Sequence, residues 1–411
     1  MMNLPSVVER FLRYTRIDTQ SSESSETYPS TAKQKHLGQL LVQELQELGL
    51  RDAAMDEYGY VMATVPGNVQ EDVPVIGFIS HVDTSPEVSG KDVKAQLHPN
   101  YDGKPIKLNE EYTLSPEQSP QLLEHLGHTI ITTDGTTLLG ADNKAGCAEI
   151  MTLVERLQAE RSIPHGTIRI AFTCDEEVGT GTKFFDTKKF GARAAYTVDG
   201  ETPGEVENET FCAAATTVTF RGINVHPGYA KDKLVNALKA AAMFVEQLPP
   251  QMAPETTADR EGYIHPVSME GGVEEVKVKL ILRDFAEEAL KEQHKILSEI
   301  IGHVQRRFPQ AKIQLDIEES YRNMRLVLEK QPEVVDYALE AVGRAGLRPK
   351  LTAIRGGTDG AKLCFMGIPT PNLFTGGHLF HSRLEWIAVE DMVSAVDTLV
   401  HLVQIWVEKS R

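Results

Sequence analysis

The chain is 411 residues long, enough for two or three compact units that each bury a core. Acidic residues outnumber basic ones 59 to 42, a net charge of −17 whose field repels phosphate backbones and anionic lipid, which argues against nucleic-acid and membrane-surface roles. With 41% hydrophobic and 25% charged residues, and no apolar run of the about 18 residues a span needs, it reads as a folded globular chain without a transmembrane segment.

In chain order, Met1 to Tyr14 carries Glu9, Arg10 and Arg13 among its apolar residues and has no apolar core of secretory length. Ser21 to Ser25 reads as a polar surface loop. Leu37, Leu40, Leu41, Leu45 and Leu48 recur at three- and four-residue steps and Gly49 follows, which predicts an amphipathic helix over residues 35–48. Val75 to Ile79 is the first compact apolar run. The stretch from Gln96 to Pro120, punctuated by Pro99, Gly103, Pro105 and Pro116, reads as a long irregular excursion. A helix is expected from Lys144 to Leu157 after the Gly140-Ala141-Asp142 turn.

Further runs at Ile168 to Phe172, Ala194 to Val198, Leu351 to Ile354 and Pro371 to Phe374, with a helix from Pro332 to Val342, read as buried strands alternating with helices. The expected fold class is α/β, a mixed and mostly parallel sheet covered by helices, formed by residues 1–210 and 322–411. Residues 211–321 show a different pattern: strand, helix, strand, strand, helix, strand, a ferredoxin-like βαββαβ unit inserted in the larger one. Cys147, Cys174, Cys212 and Cys364 form no Cys-x-x-Cys pair, so neither a disulfide framework nor a thiolate zinc site is expected, and a cytosolic location is the simplest reading.

Ligands of open α/β sheets bind beyond the carboxyl ends of the strands. The residues just past the apolar runs share one chemistry: Ser80-His81-Val82-Asp83, Cys174-Asp175-Glu176-Glu177, Asp199-Gly200-Glu201, Gly376-Gly377-His378 and then His381, with Asp142 opening the helix after Thr133 to Leu139. Imidazoles with carboxylates and no thiolate suit zinc, cobalt or manganese. Five such ligands exceed the needs of one tetrahedral ion and match two ions sharing a carboxylate. Asp83, two residues beyond His81, is placed to take the other ring N–H and fix the tautomer. Glu176 and Glu177 point in different directions on an extended segment, so one should bind metal and the other handle protons. Alone, His-x-Asp is ordinarily a salt-bridged turn and Asp-Glu-Glu a solvated one; it is their coincidence at successive strand ends that argues for a metal site.

The ordered motifs His81-Val82-Asp83-Thr84, Gly140-Ala141-Asp142-Asn143-Lys144-Ala145-Gly146, Asp175-Glu176-Glu177-Val178-Gly179, Val198-Asp199-Gly200 and His378 to Ser382 resemble the dizinc aminoacylase/carboxypeptidase-type metallopeptidases over nearly the whole chain. Within that family the likeness is greatest to members that release the N-terminal residue of tripeptides. The resemblance implies two zinc ions per subunit: Asp142 bridging, His81 and Asp199 completing one ion, Glu177 and His381 the other. Glu176 would be the general base, with Asp83 behind His81. The inserted unit would serve as lid and homodimer surface. His226, in itself a turn histidine before Pro227, would reach a reacting carbonyl, and Arg283 and Arg355, in isolation ordinary surface charges, would clamp a peptide carboxylate. A dizinc dipeptidase, a deacylase of N-acyl amino acids, and a non-catalytic binding protein on the same scaffold are the alternatives.

Overall fold

A computed structural model describes residues 4–410, which divide into two units. The first comprises Met1–Asn208, Met324–Thr352 and Thr358–Arg411; the second comprises Glu209–Asn323 with the short return segment Ala353–Gly357.

In the first unit an eight-stranded sheet runs in the order Ala54–Met55, Val61–Val65, Ile168–Thr173, Ile76–His81, Ala194–Gly200, Asn372–Phe374, Glu205–Thr210, Lys350–Ile354. The four central strands, Ile168–Thr173, Ile76–His81, Ala194–Gly200 and Asn372–Phe374, are mutually parallel, and the strands flanking them pair antiparallel, so the sheet is mixed as expected. Continuous apolar runs arise here because strands covered on both faces have no wet side; every residue of Ile76–His81 is buried. Lys350–Ile354, expected as a buried strand, is instead the sheet edge and is largely exposed. Its apolar residues do not reflect two-sided burial.

Helix Ala141–Ala159 packs on strands Ile76–His81 and Ala194–Gly200 and is itself flanked by helices Ser6–Tyr14 and Val389–Lys409. Buried nearly all round from Asn143 to Val154, it is the central helix of the unit. Gly146 lets it approach the sheet at backbone distance, since a Cβ there would meet the Val198 carbonyl oxygen at 2.0 Å. Helix Gln34–Glu47 packs on Ala54–Met55 and Val61–Val65.

The excursion from Gln96 to Pro120 is ordered rather than irregular. It supplies strand Gln96–His98 to a small sheet with Ile130–Thr132, Trp386–Ala388 and Gly377–His378, and a hairpin of Ile106–Lys107 with Thr113–Leu114. A satellite core of Tyr101, Ile106, Leu108, Leu114, Leu122, Ile130 and Trp386 holds it. These strands are too short and too interrupted by proline to show a period of two.

The second unit is an antiparallel sheet in the order Tyr263–Gly271, Glu275–Asp284, Cys212–Arg221, Lys312–Tyr321 with helices Ala237–Glu246 and Glu287–Arg307, the βαββαβ arrangement read from the sequence. Phe220, Phe244, Val278, Leu282, Leu297 and Val304 fill its core. The first helix begins later than Lys233 because Asn236 caps it, its Oδ1 accepting the Leu238 and Lys239 N–H groups. All four cysteines are buried and unpaired.

Candidate metal centre

Parallel pairing aligns the strand ends that carry the chemistry. His81 lies opposite Thr173, and the Val82 N–H donates to the Thr173 carbonyl, so the segments after both strands leave the sheet side by side. Asp199 is the penultimate residue of its strand. Asp142 stands at the mouth of the central helix with extended backbone (φ −84°, ψ 104°), which turns its carboxylate out of the helix. His381 sits at φ 60° in the turn after strand Gly377–His378.

These side chains and that of Glu177 converge. His81 Nε2 is 2.9 Å from Asp142 Oδ1 and 3.3 Å from Asp199 Oδ1; His381 Nε2 is 3.1 Å from Asp142 Oδ2 and 2.8 Å from Glu177 Oε2. Asp142 therefore shows one oxygen to each of two half-sites. Metal–ligand bonds of about 2.0–2.1 Å at tetrahedral angles put neighbouring ligand atoms about 3.3 Å apart, so the spacing fits cations bound on either side of Asp142. Glu177 Oε1 is buried without a hydrogen-bond partner, which also points to a ligand. His81 is buried, whereas the His381 side chain is 36% exposed, so the second half-site is the one reachable from solvent.

The electrostatics demand positive charge. Loss of water, then the neighbouring carboxylates, push Glu177 up to about 8 and Asp199 up to about 6, and drive Glu176 well above the carboxylate range. Asp142, against the same burial, is held well below that range by bonds to His381 and His81. Against burial that would lower it, His381 is pushed up to about 11 by its bonds to Asp142 and Glu177. Buried carboxyls in this number are relieved by protons or by cations, and the ligand-like spacing of the side chains fits cations.

Surrounding groups fix the geometry. His81 Nδ1 faces the Asp83 carbonyl oxygen at 3.1 Å and its Oδ1 at 3.3 Å, so a proton on Nδ1 leaves the Nε2 lone pair aimed at the centre. The Asp83 carboxylate also accepts the Glu176 and Glu177 N–H groups at 3.1 and 3.2 Å, binding both acidic residues to the histidine they serve. Glu176 Oε2 lies 4.0 Å from His81 Nε2, beside the ligand atoms but outside the close set. Asp175 anchors the same loop through Ser30 and Gln34.

Sequence reasoning missed Glu385. Fully buried, its carboxylate accepts the N–H groups of Leu139 at 2.7 Å, Gly140 at 2.8 Å and Asp142 at 3.0 Å, and so shapes the turn that presents Asp142. The next two side chains are also engaged: Asn143 Oδ1 accepts the Gly146 N–H, and Lys144 Nζ donates to the Ile17 carbonyl at 2.7 Å.

Of the two histidines near the C-terminal motif, only His381 joins this centre. His378 falls in a second cluster with His125 and Asp391; each of these groups, like His81, Asp142 and Glu177, offers ligand atoms within 4.8 Å of one another. The remaining sequence candidates lie in the second unit. His226 Nδ1 accepts the Gly228 N–H at 3.1 Å. Arg283 Nη1 donates to the Leu282 carbonyl, and its guanidinium lies 5.5 Å from the Tyr321 ring. Arg355 Nη1 donates to the Asp259 and Glu261 carbonyls, both at 2.8 Å, drawing its segment into that unit.

Residues 132–405 match the sequence model of peptidase family M20/M25/M40. The chain is 50% identical over 398 residues to peptidase T of Bacillus subtilis, covering 96% of this chain and 97% of that one, and 48% identical over 406 residues to peptidase T of a Geobacillus species, covering 98% and 99%. Among solved structures, its fold is similar to an aminopeptidase from Bacillus cereus (TM-score 0.75, 24% identity, 98% of each chain) and a tripeptidase from Staphylococcus aureus (TM-score 0.77, 22% identity, 98% of each chain).

Proposed function

The chain belongs to peptidase family M20/M25/M40, and from that premise we propose that it is a metal-dependent aminopeptidase releasing the N-terminal residue of tripeptides. The observation that carries the reading is the pair of half-sites on the two oxygens of Asp142, together with 50% identity to peptidase T of Bacillus subtilis over 96% of the chain. Two zinc ions suit the donor set, His81 with Asp199 on one side, His381 with Glu177 on the other, and Asp142 shared. Bound there, they would polarise the scissile carbonyl and acidify water near neutral pH.

The protein groups do the rest. Asp83 holds the His81 tautomer. Glu176, next to the ligands but not among the close contacts, takes the proton of the attacking water on its carboxylate and returns it to the departing amine. In this reading His226 stabilises the developing oxyanion, and Arg283 and Arg355 bind the substrate's terminal carboxylate. A substrate held by its terminal carboxylate at one end and by its scissile bond at the other would be selected for three residues over fewer or more. The second unit is assigned as the homodimer surface, and the working compartment as the cytosol. Among the described residues no helix is long and apolar enough to cross a membrane.

Profiling di-, tri- and tetrapeptides beside N-acyl amino acids tests the assignment. Preference for tripeptides, with the N-terminal residue released, is expected; preferred hydrolysis of N-acyl amino acids or dipeptides would move the chain to another activity in the family. A purely monomeric sedimentation profile would refute the dimer.

A further inference from the structure

We propose that His125, His378 and Asp391 form a second divalent-cation site of the zinc class, separate from the Asp142 centre, that fastens the segment delivering His381. The cluster joins three elements of the first unit: the short 3-10 turn Pro120–His125, strand Gly377–His378, and the first turn of helix Val389–Lys409. All three side chains are buried.

His125 Nδ1–H donates to the Gln121 carbonyl at 2.8 Å, which leaves the Nε2 lone pair facing Asp391 Oδ2 at 2.7 Å. Two lone-pair atoms at that distance need either a proton or a cation between them. A backbone carbonyl on the far nitrogen is also the usual support of a ligating imidazole. Two nearby groups favour the cation. His378, its ring stacked 4.4 Å from Trp386, has a buried Nε2 with no hydrogen-bond partner. Glu149, on the central helix and wholly buried, has neither oxygen partnered, and the Asp391 charge acts on it. An unpartnered buried nitrogen is costly, and a dication beside His378 answers it; its charge also eases the burial of Glu149, which lies outside the ligand set.

Burial pushes the His378 ring well below the usual imidazole range, which keeps it in the neutral form that binds metal. Two imidazoles, a carboxylate and no thiol select a borderline cation over calcium or magnesium. Because His378 is three residues before His381, a cation here would tie the small sheet and helix Val389–Lys409 to the strand that carries a ligand of the Asp142 centre.

The test is zinc content and position in the full chain, reconstituted with zinc chloride and freed of excess by gel filtration. Plasma mass spectrometry should find three zinc ions per chain in the parent and about one fewer in both His378→Phe and Asp391→Asn. Zinc-edge anomalous diffraction from crystals of the parent protein, which does not depend on any variant folding, should show a peak between the three side chains. Absence of that peak, whether or not zinc is present beside Asp142, overturns the proposal. So does equal zinc content in parent and variants, the result expected if His125 and Asp391 are only an imidazolium–carboxylate pair.

Discussion

Glu176→Gln keeps the size of the side chain and removes its ability to take a proton. Tripeptide turnover should fall by about a thousandfold, within the range general acid–base groups contribute, while zinc content stays at the parent value. Retained turnover would remove Glu176 from the proton path. Glu385→Gln tests the turn instead: an amide cannot accept three N–H groups as a carboxylate does, so stability should drop by about 2 kcal/mol and zinc should bind more weakly, measured by thermal unfolding and competition with a chelator. His81, Asp142, Glu177, Asp199 and His381 were legible because each comes after an apolar run in a short, chemically loaded motif. Glu385 was not, because a carboxylate that receives backbone N–H groups has no spacing signature, and its partners lie 243 to 246 residues away. His378 and His381 stand three residues apart, so only the family resemblance singles out His381 in the sequence, and in the structure the two side chains belong to different clusters.

Among the helices and strands, the central helix is placed by what it lacks. Gly146→Ala would put a methyl group 2.0 Å from the Val198 carbonyl oxygen, so helix and strand must separate. A loss of about 1–3 kcal/mol is expected from such overpacking, with weaker zinc binding because Asp142 and Asp199 ride on these two elements. Unchanged thermal stability would mean the helix is free to shift. The N-terminal helix is pinned to the same central helix by Arg10, whose Nη1 and Nη2 reach Glu155 at 2.9 and 3.1 Å. Those bonds lower the Glu155 pKa, so the folded carboxyl holds its charge to lower pH than the unfolded one. Its contribution is complete above the unfolded value of about 4.5 and is lost as pH falls through the lower folded value. Glu155→Gln should cost about 1 kcal/mol or less at pH 7, since Glu155 is partly exposed, and progressively less as pH falls below about 4.5, read from unfolding midpoints across pH. The βαββαβ unit was legible because its strands alternate wet and dry faces; the stretch from Gln96 to Pro120 was not, because its strands of two and three residues are shorter than any period they could display.

In the whole molecule, folding and metal binding are joined. Cations that bind only the folded chain stabilise it by mass action, about 4 kcal/mol at a thousandfold excess over the dissociation constant, so chelation should lower the unfolding temperature and abolish turnover together. The composition points to a globular chain whose net charge argues against polyanion partners; only the convergence of distant strand ends shows where carboxylates are concentrated in its interior. If the two half-sites on Asp142 are the catalytic centre of an N-terminal tripeptidase, hydrolysis of a tripeptide with three different residues should depend on them before chelation, after it, and after zinc is restored. Release of the first residue, lost with the metal and recovered with it, is predicted, with no recovery in Asp142→Asn; metal-independent cleavage, or release of the third residue, would contradict it.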